Sequence, residues 1–146
     1  MNPPSLLLHC AATLAMVGLI WFVQVVHYPL FSSVGQSPFH EYERLHQKRT
    51  TLVVAPLMLI EALTATLILT TDLSPSARDL AWIGWVLLVL IWLSTAFLQV
   101  PLHRRLAEGY DLLAVRRLVR TNWLRTSAWT LRGFIAVLLL ALGADG

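Results

Sequence analysis

Charge is what this sequence has least of. Asp, Glu, Lys and Arg make up 13% of its 146 residues, against 57% hydrophobic residues and a mean hydropathy of +0.67. A soluble domain of this size needs more polar surface than that. Cysteine is scarcer still. Cys10 stands alone, which excludes a disulfide framework and a cysteine-based metal site and leaves it as a small apolar filler. No basic segment precedes the first apolar run and no small-residue cleavage site follows it, so that run reads as a retained helix and not as a signal peptide. No long polar stretch separates the apolar runs, which leaves no room for a soluble domain.

What is present is four stretches of roughly the 20 apolar residues that cross a hydrocarbon core. They lie at about 6–29, 51–70, 80–100 and 126–142. The expected fold is all-α: one polytopic domain over residues 1–146, a bundle of four transmembrane helices in contact with the lipid bilayer. The few charges are unevenly placed. Arg44, Lys48 and Arg49 lie between spans 1 and 2; Arg104, Arg105, Arg116, Arg117, Arg120 and Arg125 lie between spans 3 and 4; the remaining connection has Arg78 alone. The positive-inside rule then puts the two basic connections in the cytoplasm and both termini outside, in a multi-pass protein of the cell (plasma or inner) membrane. The basic stretch is not interleaved with aromatics as a nucleic-acid groove is, so it reads as an anchor to anionic headgroups.

Helix starts and stops are marked along the chain. Ser37-Pro38 has the form of an N-cap followed by proline at the first helical position, and Ser76-Ala77-Arg78-Asp79 that of a capping box. Gly109 can end helix 3 and Asp111 can cap helix 4, so helices 2 and 4 should run over about 38–70 and 112–142, longer than a bilayer requires. Pro56 and Pro101 are expected to kink their helices. The halves also echo one another: F-V-Q-V-V-H at 22–27 against F-L-Q-V-P-L-H at 97–103, and R-T-T at 49–51 against R-T-S at 125–127. His27 and His103, Arg44 and Arg120, and Arg49 and Arg125 are each 76 positions apart. A duplicated hairpin would place a pseudo-twofold axis along the membrane normal.

Polar residues within the spans fall on helical stripes: His9, Thr13, Gln24 and His27 in helix 1; Glu43, His46, Thr50, Glu61 and Thr64 in helix 2; Trp92, Gln99 and His103 in helix 3; Asn122, Arg125, Trp129 and Arg132 in helix 4. Isolated polar groups are costly in lipid, so the stripes should face the bundle interior. Most lie toward the basic connections, which predicts a polar pocket open to the cytoplasm under an apolar outer half. Glu61 is the only carboxylate well inside a span and is therefore the expected partner of Arg132, as a helix-fixing pair or as a functional one. His9 reads as structural.

The histidines raise the question of a cofactor, which the sequence leaves open. His27 and His103 sit at similar depth on parallel helices and suit the axial positions of a b-type haem, with Arg49 and Arg125 near its propionates; interfacial hydrogen bonding serves them equally well. His40, Glu43 and His46 follow one another at i,i+3. That is half of a di-iron motif, for which helix 4 has no second copy, and it also fits a mononuclear site of two His and one carboxylate or a solvated face.

The second half, V-P-L-H-R-R-L-A-E-G followed by L-V-R-T-N-W-L-R-T-S-A-W-T-L-R and an apolar tail, resembles a domain-of-unknown-function family of small four-helix membrane proteins that includes anthrone-oxygenase-like proteins. The likeness covers residues 99–142 best. It implies a four-helix bundle and oxygenation of hydroxylated polycyclic aromatics, with Asn122, Trp123 and Arg132 as matched positions; His103 departs from the family's usual asparagine, and the His/Glu-rich start of helix 2 is not part of its pattern.

Three functions are compatible with these residues. One is an oxidoreductase or oxygenase acting on a flat hydroxylated aromatic or quinone. His27, His46 or His103 would then be the base, Arg132 or Arg125 the anion stabiliser, and Trp92 and Trp129 the stacking walls. Glu61 joins the catalytic candidates, and Gln24, Arg49, Gln99 and Asn122 join Arg125 and the tryptophans as binding candidates. The second is a haem-binding electron carrier, and the third a non-catalytic membrane protein whose polar interior specifies packing. The unit can work alone or pair with a second copy.

Overall fold

The computed structural model of the chain describes residues 3–144, so the expected domain range of 1–146 extends two residues past it at each end. Four helices carry the fold: α1 (Pro4–Ser33), α2 (Gln36–Leu69), α3 (Pro75–Glu108) and α4 (Leu112–Gly143), each long and apolar enough to cross a membrane. No strand occurs among the described residues. The protein is an all-α four-helix bundle. At 1.5 Å per residue its 30–34-residue helices are about 45–51 Å long. A hydrocarbon core of about 30 Å leaves several turns over. Short connections make successive helices antiparallel neighbours, so the α1–α2 and α3–α4 connections share one end, here called the basic end, and the N- and C-termini share the other.

Two of the expected helix starts are displaced. Ser37 lies inside α2, whose N-cap is Gly35 without a side-chain cap. In α3 the cap is Ser74, whose hydroxyl accepts from the Ala77 amide at 3.4 Å with Pro75 at the first helical position. A Ser-Pro step supplies both cap and pre-set φ, so Ser74-Pro75 prevails over the capping box two residues on. Asp111 caps α4 as expected, accepting from the Leu113 and Ala114 amides at 2.8 and 3.1 Å, and α3 ends at Gly109. Those two amide bonds, the Ala114 one foremost, hold the Asp111 carboxyl below the usual carboxylate range.

Prolines shape the odd-numbered helices. A π turn, Val23–His27, stands just before Pro29 in α1, and a second, Thr95–Gln99, just before Pro101 in α3. Proline lacks the N–H for the i−4 carbonyl and its ring clashes there; an extra residue in the preceding turn relieves both. Pro56 stays within a continuous α2. The two π turns are 72 positions apart, not 76, so they do not fall on the echo of the histidines and arginines. Packing breaks the echo further. α1 and α3 each lie closely against α4, whereas α2 meets both α1 and α3 less extensively. A twofold relation between hairpins would make the α1–α4 and α2–α3 contacts alike.

The close α1–α4 contact depends on Gly133, where a Cβ would lie 3.0 Å from Val17 Cγ2. Met16, Ile20, Phe31, Met58, Ile91, Leu106, Leu118 and Trp129 belong to the larger buried cluster, and Leu6, Ile68, Ile135 and Leu139 to a smaller one at the terminal end. Leu52, Leu63, Phe97 and Phe134 are among large apolar side chains that remain exposed. In water such a surface would aggregate, whereas in a bilayer it is the solvated surface.

Candidate functional site

The stripes meet in two places. The first lies toward the terminal end and is closed. Glu61 and Arg132 pair as the sequence predicts, Arg132 Nη2 donating to Glu61 Oε1 at 3.1 Å with both side chains buried. Trp129 Nε1 donates to Glu61 Oε2 at 2.9 Å, and Arg132 Nη1 donates to the Gly84 carbonyl. Both Glu61 oxygens and both terminal Arg132 nitrogens are thus engaged, and Arg132 Nε alone of the pair has no partner. Nearby, His9 Nδ1 donates to Thr64 Oγ1 at 2.9 Å, since the Thr64 hydroxyl hydrogen is committed to the Ile60 carbonyl. The expected apolar outer half is thus threaded by polar pairs. The cavity beside Arg132 and His9, about 10 Å³, holds at most a water molecule.

The second meeting place lies at the basic end, where the π turn of α1, the start of α2 and the end of α3 converge. Helical spacing puts Glu43, His46, Gln47 and Thr50 on one face of α2, opposite His27 and Tyr28 of α1 and His103 of α3. His27 Nε2 and His46 Nδ1 are 2.8 Å apart, and Thr50 Oγ1 is 3.1 Å from the same Nδ1. His103 Nδ1 and Glu43 Oε1 are 2.6 Å apart, and His103 Nε2 meets the Tyr28 hydroxyl at 2.9 Å. Gln47 Nε2 donates to both Glu43 Oε1 and the His103 carbonyl at 3.0 Å. Phe31, fully buried, sets its ring edge against His27 and His46. Glu43 is completely buried, and its Oε2 has no partner.

A cavity of about 530 Å³ opens beside this cluster, in the range of small-molecule sites. Tyr28, His46, Thr50, Gln99, His103 and Arg125 give it polar walls; Val54, Ala55, Met58, Leu59 and Trp92 give it apolar ones. It lies between α2 and α3, and its exposed lining residues run from Leu59 and Trp92 to Thr51 and Arg104 nearer the basic end. Arg125 is buried against the Tyr28 hydroxyl and over the Trp129 ring, its Cζ 5.2 Å from the ring centre. Among the described residues no carboxylate forms an ion pair with it, and its Nε has no partner.

The structure divides the sequence-predicted residues. His46, His103, Gln99, Trp92 and Arg125 line the cavity, and His27 stands behind His46. Glu61 and Arg132 belong to the closed site. Gln24 and Asn122 are committed to each other, Asn122 Nδ2 donating to Gln24 Oε1 at 2.9 Å while Gln24 Nε2 donates to the Val119 carbonyl, so they fasten α1 to α4. Trp129 is fully buried and cannot flank a ligand ring, and Arg49, the counterpart of Arg125, is exposed. His27 and His103 are not placed as opposite axial ligands: His46 packs against both, and each ring is hydrogen-bonded within the cluster. His40 is exposed and stands apart from the group that brings Glu43, His46 and His103 together.

Tyr28, Gln47 and Thr50 were missing from the sequence-based site. Thr50 lies on the α2 stripe already recognised. Tyr28 follows a histidine, and the π turn that rotates it inward leaves no trace in a 3.6-residue pattern. No protein-family model, no curated protein and no solved structure matches the chain.

Proposed function

We propose that this multi-pass membrane protein takes a flat hydroxylated aromatic or quinone-like molecule from the bilayer into the cleft between α2 and α3 and carries out oxidoreductase or oxygenase chemistry on it. The observation that carries the reading is the composition of the 530 Å³ cavity: apolar side chains such as Val54, Met58, Leu59 and Trp92 on one wall and, on another, a buried guanidinium without a carboxylate beside two hydrogen-bonded imidazoles. A planar apolar body fits against Trp92, Met58 and Val54. A phenol oxygen reaches the polar wall, where an imidazole of the cluster accepts its proton and Arg125 stabilises the anion. A phenolate is richer in electrons than the phenol and more readily oxidised by dioxygen. The resemblance of residues 99–142 to anthrone-oxygenase-like proteins points the same way. On this reading the basic end faces the cytoplasm of a plasma or inner membrane, by the arginine distribution.

The test is binding of a hydroxyanthraquinone to the purified chain in nanodiscs, read by its visible absorption and by quenching of tryptophan fluorescence. Arg125→Gln should weaken binding about tenfold or more, the usual worth of a hydrogen bond to a charged group, and shift the bound dye toward its protonated spectrum. Trp92→Ala should weaken binding without that shift. Equal affinity in wild type and both variants overturns the proposal.

A further inference from the structure

We infer that Glu43, His46 and His103 form a binding site for one divalent first-row transition-metal ion at the inner wall of the cavity. Each offers one ligand atom, and the three atoms lie within 4.8 Å of one another. One ion bonded at about 2.0–2.2 Å keeps its donors roughly 3–4 Å apart, so the set needs to close by about 1 Å. Two imidazoles and one carboxylate on one side of an ion, with the other side open, is a donor set suited to iron(II), manganese(II), cobalt(II) or zinc. Here the open side is the cavity, which His46 and His103 line.

The charges point to a cation independently of that spacing. Glu43 is completely buried; Oε1 meets His103 and Gln47, and Oε2 meets nothing. Among the described residues no lysine or arginine pairs with it. A buried carboxylate with an idle oxygen and no fixed counter-charge is costly, and a metal ion supplies both missing partners. The surrounding bonds prepare the ligands as an outer shell does. With its proton on Nδ1, His46 donates to His27 Nε2, with Thr50 Oγ1 beside the same nitrogen, which leaves Nε2 bare. With its proton on Nε2, His103 donates to the Tyr28 hydroxyl and offers Nδ1. The ion would take the place of the direct contact between His103 Nδ1 and Glu43 Oε1.

The inference goes beyond the proposed function and alters one part of it. An ion held there would acidify a phenol oxygen bound to it, whose proton would pass to water, and His46 and His103 would serve as ligands, not as bases. The test uses the full chain in nanodiscs, stripped with chelator and titrated with cobalt(II), with no aromatic present. One cobalt per chain is expected, with a d–d absorption band. Glu43→Gln and His46→Asn should each weaken binding at least tenfold, whereas His40→Ala, at an exposed position off the cluster, should bind like wild type. If Glu43→Gln fails to fold, His46→Asn decides. Wild-type protein that takes up no cobalt, or folded variants that bind it undiminished, overturns the inference. Because no aromatic is present, either result leaves the cavity reading to its own test.

Discussion

Replacing Glu61 and Arg132 singly and together gives a sharp test of what holds α2 against α4. The pair is buried at both ends, with side-chain exposures of 0% and 2%, and it is tied to Trp129 and to the α3 carbonyl of Gly84. Glu61→Gln keeps the shape and one acceptor, loses the charge, and strands the guanidinium. Arg132→Gln strands the carboxylate and leaves Gly84 without its donor. Removing one member of a buried pair costs about 3–5 kcal/mol in soluble proteins. Hydrogen bonds between membrane helices average only about 0.6 kcal/mol, because the unfolded chain in the membrane also finds partners. We therefore expect about 2–3 kcal/mol for each single change, the stranded charge making up most of it. The double variant carries two neutral amides able to bond each other, so it should cost no more than either single. That amounts to a coupling of at least about 2 kcal/mol. Reversible unfolding in mixed micelles, followed by tryptophan emission, measures all four corners of the cycle. If the single effects add to within about 0.5 kcal/mol, the two residues do not stabilise one another and the description of the closed site is wrong.

Two further predictions concern the scaffold. Gly133→Leu should destabilise the bundle by about 1–3 kcal/mol through overpacking against Val17 and Leu14, and Gly133→Ala by less; the same micelle unfolding reads both, and an unchanged midpoint for the leucine variant would contradict the close α1–α4 approach. Asp111→Ala should lower the melting temperature slightly by uncapping α4. Since the folded carboxyl titrates below its unfolded value, its stabilisation is complete above the unfolded pKa and is lost as pH falls through the folded one. The gap between wild type and variant should therefore close in acid, and a gap independent of pH would remove the carboxylate from the cap.

Much of the fold was legible because a bilayer permits so few solutions. Spans, helix overhangs, the Asp111 cap and the Glu61–Arg132 pair all follow from hydropathy, 3.6-residue spacing and the cost of a lone charge in lipid. Misreadings arose where local geometry departs from that spacing. The π turns at Val23–His27 and Thr95–Gln99 advance the helical phase by a residue, which brings Tyr28 inward and keeps His103 within reach of Glu43. The 76-residue echo suggested equivalent arginines, yet Arg125 faces a buried tyrosine and Arg49 is exposed. A sequence period specifies which residues share a face. It does not specify which of two like faces is covered, and here α4 is enclosed by α1 and α3 while α2 leaves α3 partly uncovered.

The two polar centres differ in the way that separates structural from functional burial. In the closed one, Glu61 accepts at both oxygens and Arg132 donates through both terminal nitrogens, so that only Arg132 Nε is left without a partner. Such a network fixes helix positions and has little capacity left for anything else. In the open one, Glu43 Oε2, Gln99 Oε1 and Arg125 Nε are all buried without partners at or beside one cavity. Each costs roughly 1–3 kcal/mol if left so, a large share of the stability of a small bundle. Substituting all three by apolar residues of similar shape should abolish uptake of both the aromatic probe and cobalt, at a cost in stability set by the partners left behind, His103 and Gln47 for Glu43 and Tyr28 for Arg125. A folded triple variant that still takes up both probes would mean that the three groups serve the fold alone, and the cavity would lose its claim to be a site.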